Sequence, residues 1–445
     1  PVARHPPGGR IAAHALELPR PPIGRGSGTS LGEGDGLSLA GKGADSFTGS
    51  AGEGARGLFA SAPGGWAAGG SERQASVFAA RLRRAQEAMA AAGVDALLLS
   101  LGADLPWLTG YTAMPLERLT MLVVPPAGGS TPTLFVPELE APRVAPLPEV
   151  FSLRPWAETE DPVELVAAAV RAVAPPEPAL AIGDRTWARF LLALQEKLPA
   201  ASWRRAAMVT GPLRAVKDEA ELAALARAAA CADEVAAALL AGEVPLVGRS
   251  ELQVAADISQ RLLGAGHEQV NFAIVASGPN AASPHHDPSG RLIGKAEVVV
   301  CDFGGSLGGY CSDITRTVFT GPPPAELESV YEVVAEAQAA GVAAARVGTP
   351  CSEVDRAARA VIEKAGYGPY FVHRTGHGIG LEEHEDPYLV AGNDEPISAG
   401  NVFSVEPGVY LPGKGGVRLE DIVAATPAGP QPLNKASHDL AVLRG

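Results

Sequence analysis

The sequence predicts a mixed α/β (α+β) chain of two folded units, and three observations carry that prediction. At 445 residues the chain is longer than one compact core of ordinary size requires. From about Ser76 onward, segments with apolar residues at helical spacing alternate with short apolar runs of strand character. Toward the C-terminus this alternation gives way to apolar strands joined by glycine-rich turns, the pattern of hairpins.

Residues 1–74 come first, crowded with Gly, Pro, Ala and Ser, as in GRGSGTSLGEGDG and GGWAAGG. Such a stretch has too little apolar surface to offset its ordering entropy, so it reads as a disordered extension whose His5 and His14 are solvated. The smaller α/β unit, residues 75–208, opens with VFAARLRRAQEAMAAAG, a helix closed by Gly93, and runs into VDALLLS, a buried strand. MLVVPP and TLFVPE continue as strands, VELVAAAVRAV and WARFLLALQEKL as helices. Trp107, Tyr111 and Trp156 read as core or pocket wall. No clustered set of catalytic residue types appears in this unit. The second unit, residues 209–445, opens with a long helix whose first turn is acidic at Asp218, Glu219 and Glu221. Strand-like VNFAIVASG and AEVVVCDFGG then alternate with helices around ELESVYEVVAEAQAAGVAAARV and SEVDRAARAVIEKAG.

Charge and cysteine content narrow the function. Lys plus Arg at 36 against Asp plus Glu at 50 gives −14, which argues against nucleic acid and anionic membranes as partners. Four cysteines without metal-finger spacing suit a reducing compartment, the cytoplasm by default. The N-terminus carries no export signal, and no run approaches a membrane span.

The chemistry concentrates in two hairpins. In VVVCDFGGSLGGYCSDITRTV a two-residue loop at Leu307-Gly308 would set Asp302 opposite Asp313, and Cys311 opposite Gly304. Opposed Cβ atoms lie about 4.5–5.5 Å apart, where like charges repel, so the two aspartates need a cation or a shared proton. The alternative is two exposed aspartates beside a loose loop. In FSVEPGVYLPGKGGVRLEDIV a loop centred on Gly413 would bring Glu406 opposite Glu420. A second acidic pair in apolar strands makes an unpaired explanation costly. Four carboxylates with one or two imidazoles are what a pair of divalent ions requires; the oxygen-rich set favours Mn²⁺, with Co²⁺ and Zn²⁺ as alternatives.

These residues resemble the pita-bread metallopeptidases, which include aminopeptidase P, prolidase, methionine aminopeptidase and the metal-free relative creatinase. The likeness is closest to the aminopeptidase P and prolidase branch. It rests on SGPNAASPHH, VVVCDFGGSLGGYCSDITRT, HRTGHGIGLEEHEDP, VFSVEPGVY and GVRLEDIV, in that order between residues 277 and 423. The resemblance implies a small creatinase/prolidase-like domain followed by a pita-bread catalytic domain, and a homodimer. It makes Asp302, Asp313, His377, Glu406 and Glu420 the metal ligands, a set that creatinase-like members have lost. It places His285, His373, His384 and Arg418 around the substrate or behind the ligands, and gives His286 no role. One departure stands out: the family usually has Val or Ile before the second histidine, and here it is Glu383.

The reaction implied is hydrolysis of Xaa-Pro bonds in a dipeptide or at the end of a peptide. Two metals sharing a water lower its pKa toward neutrality. Glu406 would take its proton and pass it to the leaving nitrogen, His285 and His384 would donate hydrogen bonds to the substrate and oxyanion, and Arg418 would orient carboxylates. The rivals are a related metallopeptidase of other specificity, a binding protein that kept the fold, and a dimetal esterase or phosphatase; no phosphate-cradling loop supports the last. His377 and His384 lie seven residues apart, and the glycines at 376, 378 and 380 disfavour a helix through GHGIG, so they can share a site only if the chain turns there.

Overall fold

The computed structural model describes residues 71–443. The extension expected over residues 1–74, with His5 and His14, falls outside the described residues except for the backbone of its last four. The first helix, Ser71–Ala92, begins ahead of the expected start of order at Ser76. It stops where Gly93 adopts a left-handed φ of 63°.

The smaller unit is built on a six-stranded sheet. Ala96–Leu99 lies centrally, with Met121–Val124, Thr133–Pro137 and Ser152–Trp156 on one side and Ala179–Ile182 and Ser202–Arg205 on the other. The central strands are apolar at every position because both faces are covered. Leu97, Leu99, Leu122 and Val124 pack with Phe78 and Met89 of the first helix. Leu98, Met121, Val123 and Leu180 pack with Val166, Val170 and Leu194 of the helices Pro162–Val173 and Ala188–Lys197. Trp107, Tyr111 and Trp156 are all buried in these cores.

Helix Ala207–Ala215 leads into the long helix Glu219–Leu240. Asp218 caps that helix, accepting from Glu221 N while Glu221 reaches back to Asp218 N, so the acidic first turn is a capping box. Helix Glu251–Gly264 went unread in the sequence, although Ser250 and Gln253 form a second capping box at its start. Both helices cover one face of the sheet made by Gln269–Ser277, Val298–Leu307 and Ile314–Phe319, contributing Val235, Leu239, Ile258 and Leu262 against Val299, Cys301, Phe303 and Ile314. The opposite face begins with Val298 and Val300, packed against Val330 and Val334 of helix Ala325–Ala344, and continues into Asp302.

The first hairpin differs from expectation in register. Its two-residue turn is Gly308-Gly309, both with positive φ (59° and 80°), and Leu307 pairs with Tyr310. A turn of this hand needs left-handed backbone at both central residues, which Leu307 would adopt only under strain. Asp302 therefore faces Thr315 rather than Asp313, and Cys311 faces Ser306 rather than Gly304. The correction moves each partner by two residues, so Asp313 stays on the face of Asp302, one diagonal step away.

The second hairpin keeps the expected register. Gly408–Leu411 pairs with Gly415–Arg418, Gly408 opposite Arg418, while Val405 pairs with Asp421. Glu406 and Glu420 sit at the break between these two ladders, where the chain leaves one sheet for the other. An isolated bridge from Thr315 to Glu420 joins the first hairpin to this break. Among the described residues, no helix is long and apolar enough to cross a membrane.

Candidate active site

A pocket of about 440 Å³ opens where these elements meet. One wall carries Asp302, Asp313, His377, Glu406 and Glu420, and the others carry Phe272, Ile274, Pro284, His285, His373, Arg374, Glu383, His384 and Arg418. Every residue singled out by the sequence as ligand, catalyst or substrate contact thus lines one cavity.

The chain does turn between the two histidines. Gly376–Gly378 pairs antiparallel with Glu385–Leu389 across a bend at 380–384, which brings the rings of His377 and His384 to 3.9 Å. The glycines are required by packing: a Cβ on Gly376 would overlap the Ser404 carbonyl, and one on Gly380 would overlap the Glu385 carboxylate.

His377 is fixed at its backbone by Ser404 Oγ (3.0 Å), and its Nδ1 lies 3.1 Å from the Gly378 carbonyl. That carbonyl only accepts, so Nδ1 carries the hydrogen and Nε2 presents its lone pair to Glu406 Oε1 at 3.4 Å and Asp313 Oδ2 at 3.8 Å. Burial, with His384 alongside, pushes the His377 pKa down to about 3, so the ring is neutral at physiological pH. Burial and neighbouring acids hold Asp313 and Glu420 well above the usual carboxylate range, and burial raises Glu406 to about 7. Oδ1 of Asp302 and Oδ1 of Asp313 are buried without a hydrogen-bond partner among the described residues. Acceptors facing acceptors, with unused lone pairs, are the arrangement a cation satisfies. Donor atoms of Asp313, His377 and Glu420 already lie within 4.8 Å of one another. The oxygen-rich donor set, with one imidazole, fits divalent ions.

A chain of hydrogen bonds braces this wall. Arg418, 2% exposed, donates to Asp302 Oδ2 at 2.6 Å, Thr315 Oγ1 at 3.0 Å, the Pro284 carbonyl at 3.1 Å and Tyr410 Oη at 2.9 Å. It thereby joins a carboxylate to the segment bearing His285. Tyr410 Oη lies 2.8 Å from His373 Nε2, and His373 Nδ1 lies 2.7 Å from the Arg374 carbonyl, so Nδ1–H donates to the carbonyl and Nε2 accepts from the phenol. Burial and Arg418 push His373 down to about 4, which keeps it neutral in this chain. Thr315, in the register position expected of Asp313, donates from Oγ1 to Glu420 Oε2 at 2.6 Å.

Sequence reasoning missed Thr315, Tyr410 and Arg374. All three lie inside quoted motifs, at DITRT, EPGVY and HRTGH, but the work of Thr315 and Tyr410 is to bond other side chains, which spacing does not reveal. His286, without a role in the sequence reading, has one in the structure: its Nε2 lies 2.9 Å from Glu251 Oε2. Glu251, buried, also accepts from Ser277 (N and Oγ), Asn280 and Ser289 (N and Oγ), which ties down the segment carrying His285.

Fold and site together define a metallopeptidase of the pita-bread type. The chain belongs to metallopeptidase family M24, whose model matches residues 223–427, while the creatinase/prolidase N-terminal domain matches residues 81–216. It is 43% identical over 377 residues to the "Probable dipeptidase PepE" of Mycobacterium tuberculosis, covering 84% of this chain and 99% of the relative. Among solved structures it is similar to dipeptidase PepE from Mycobacterium ulcerans (43% identity, TM-score 0.78, covering 83% of this chain and 99% of that one). It is also similar to a recombinant prolidase from Thermococcus sibiricus (38% identity, TM-score 0.77, covering 82% and 98%). It is accordingly a metallopeptidase, and its family implies divalent metal ions.

Proposed function

We propose that this metallopeptidase hydrolyses Xaa-Pro dipeptides, with Asp302, Asp313, His377, Glu406 and Glu420 holding two divalent ions. The observation that carries the reading is the composition of one small pocket: acids and imidazole on one wall, and Phe272, Ile274 and Pro284 as an apolar surface for a proline ring. The names of the relatives, dipeptidase and prolidase, support the same class.

When bound, the ions supply a water acidified toward neutrality and Lewis-acid polarisation of the scissile carbonyl. The residues of the chain supply the rest. Glu406 would take the proton of that water and pass it to the leaving imino nitrogen. Ser404 Oγ, 3.1 Å from Glu406 Oε1, fixes the orientation of that carboxylate. His285 and His384 donate hydrogen bonds to substrate and to the developing oxyanion. Arg418 holds Asp302 in orientation, and His373 anchors the backbone of Arg374 at the pocket wall.

Mn²⁺ as the metal, a cytoplasmic setting, a homodimer, and a division into residues 1–74, 75–208 and 209–445 complete the proposal. The four free cysteines favour the reducing compartment. The deciding assay uses protein stripped of metal and resupplied with Mn²⁺, on Gly-Pro and on a longer Xaa-Pro peptide. Metal-dependent release of proline from Gly-Pro is expected. Cleavage of the longer peptide alone would make it an aminopeptidase, and release from neither would overturn proline specificity.

A further inference from the structure

Next to the bend that carries Glu383 and His384, and outside the pocket lining, lies a largely buried cluster of charges the mechanism does not use, with Arg185 at its exposed edge. Arg214 has a side chain 10% exposed and meets three carboxylates: Asp104 at 2.9 Å, Glu382 at 2.7 Å, and Glu385. Lys217, 1% exposed at its side chain, takes the other oxygen of Glu385 at 2.7 Å. Arg185 adds a contact to Glu382 at 2.8 Å, so three cations face three anions. Asp104 and Arg185 belong to the smaller unit, whereas Glu382 and Glu385 bracket His384.

His384 makes no hydrogen bond of its own among the described residues; its ring meets His377 and is otherwise open to the pocket. Its position is therefore inherited from its neighbours in the chain. Buried ion pairs add little net stability over apolar packing, but they do fix geometry, since their charges tolerate few arrangements. The bend is closed tightly around this anchor: a Cβ on Gly380 would strike the Glu385 carboxylate.

We propose that Arg214 is a positioning residue for His384, holding Glu382 and Glu385 on either side of the imidazole and referring the bend, through Asp104, to the smaller unit. The proposal rests on His384 contacting substrate, as in the function proposed above. A displacement of about 1 Å at a catalytic group costs on the order of 100-fold in rate, so Arg214→Gln should lower kcat on Gly-Pro by about 10- to 100-fold with little change in KM.

The test is a double-mutant cycle in Mn²⁺-loaded enzyme. If Arg214 acts through His384, Arg214→Gln in a His384→Ala background should change kcat by less than about twofold. Equal fold losses in both backgrounds would overturn the proposal. Should Arg214→Gln not fold, as judged by thermal melting, Glu382→Gln runs through the same cycle; it keeps the Arg214–Glu385 pair, and a smaller loss confined to the His384 background is expected. Histidine ring resonances of the metal-free, ¹⁵N-labelled protein give a readout free of activity. His384 should shift or broaden in the variant while His267, held by Ser312 at 2.8 Å, does not. An unmoved His384 signal would overturn the positioning role even if the enzyme cleaves Gly-Pro. A parent enzyme inactive on Gly-Pro would instead overturn the substrate reading and leave the resonance arm to decide.

Discussion

Thr315 shows how much of this site depends on groups that touch no substrate. Its hydroxyl accepts from Arg418 Nε and donates to Glu420 Oε2. Thr315→Val keeps the shape and removes both bonds, so metal affinity measured by calorimetry should fall by about 10-fold or more, while Thr315→Ser should stay near the parent. Glu251 offers a second test at this scale. Despite burial, its hydrogen bonds from Ser289, His286 and Ser277 hold its carboxyl down to about 2, below the unfolded value. A depressed carboxylate stabilises the fold above its unfolded pKa, and the contribution vanishes as pH falls through the folded one. Glu251→Gln should therefore cost roughly 3 kcal/mol at pH 6, the gap from wild type closing between about pH 4 and pH 2 in urea titrations of metal-free protein.

Among the elements, the two hairpins measure how far sequence reaches. Glu406 and Glu420 were legible because PGKGG fixes the turn and no other loop centre serves the strands equally well. SLGGY is more ambiguous: two adjacent glycines allow more than one turn, and only the demand for left-handed backbone at both central residues selects Gly308-Gly309. The chemistry survived the misreading because strands repeat every two residues. Glycines also set the approach of strands to one another, which no motif announces. A Cβ on Gly304 would overlap the Ser312 carbonyl next to Asp313. Gly304→Ala should therefore destabilise the protein by about 3 kcal/mol in thermal melts and weaken metal binding together with stability. Helix Glu251–Gly264 escaped the sequence reading, and its capping box was the signal left unused.

Across the whole molecule, the α/β class could be read from order and spacing, and so could the two acidic pairs; the histidines that line the same pocket were reached only through the family resemblance. The coupling between the two units could not be read. It depends on contacts between residues more than 100 positions apart, such as Arg81 with Asp218 and Glu221, or Arg214 with Asp104. Removing metal should be felt globally, since an ion that binds only the folded state at 100 times its Kd adds about 2.7 kcal/mol. Chelation should lower the melting temperature of the entire described unit, and Mn²⁺ should restore it in calorimetry.

The crowded acids at the meeting point of the two ladders have one more consequence. Empty of metal, burial and their mutual proximity raise the carboxyls of Asp313, Glu420 and Glu406 above the ordinary range, so the cluster keeps protons more readily than exposed acids do. Loading the site must expel those protons, so the protein exchanges acid for metal. With the proposed ligands, acidification should release the ions and lower activity, and a return to neutral pH with metal present should restore it.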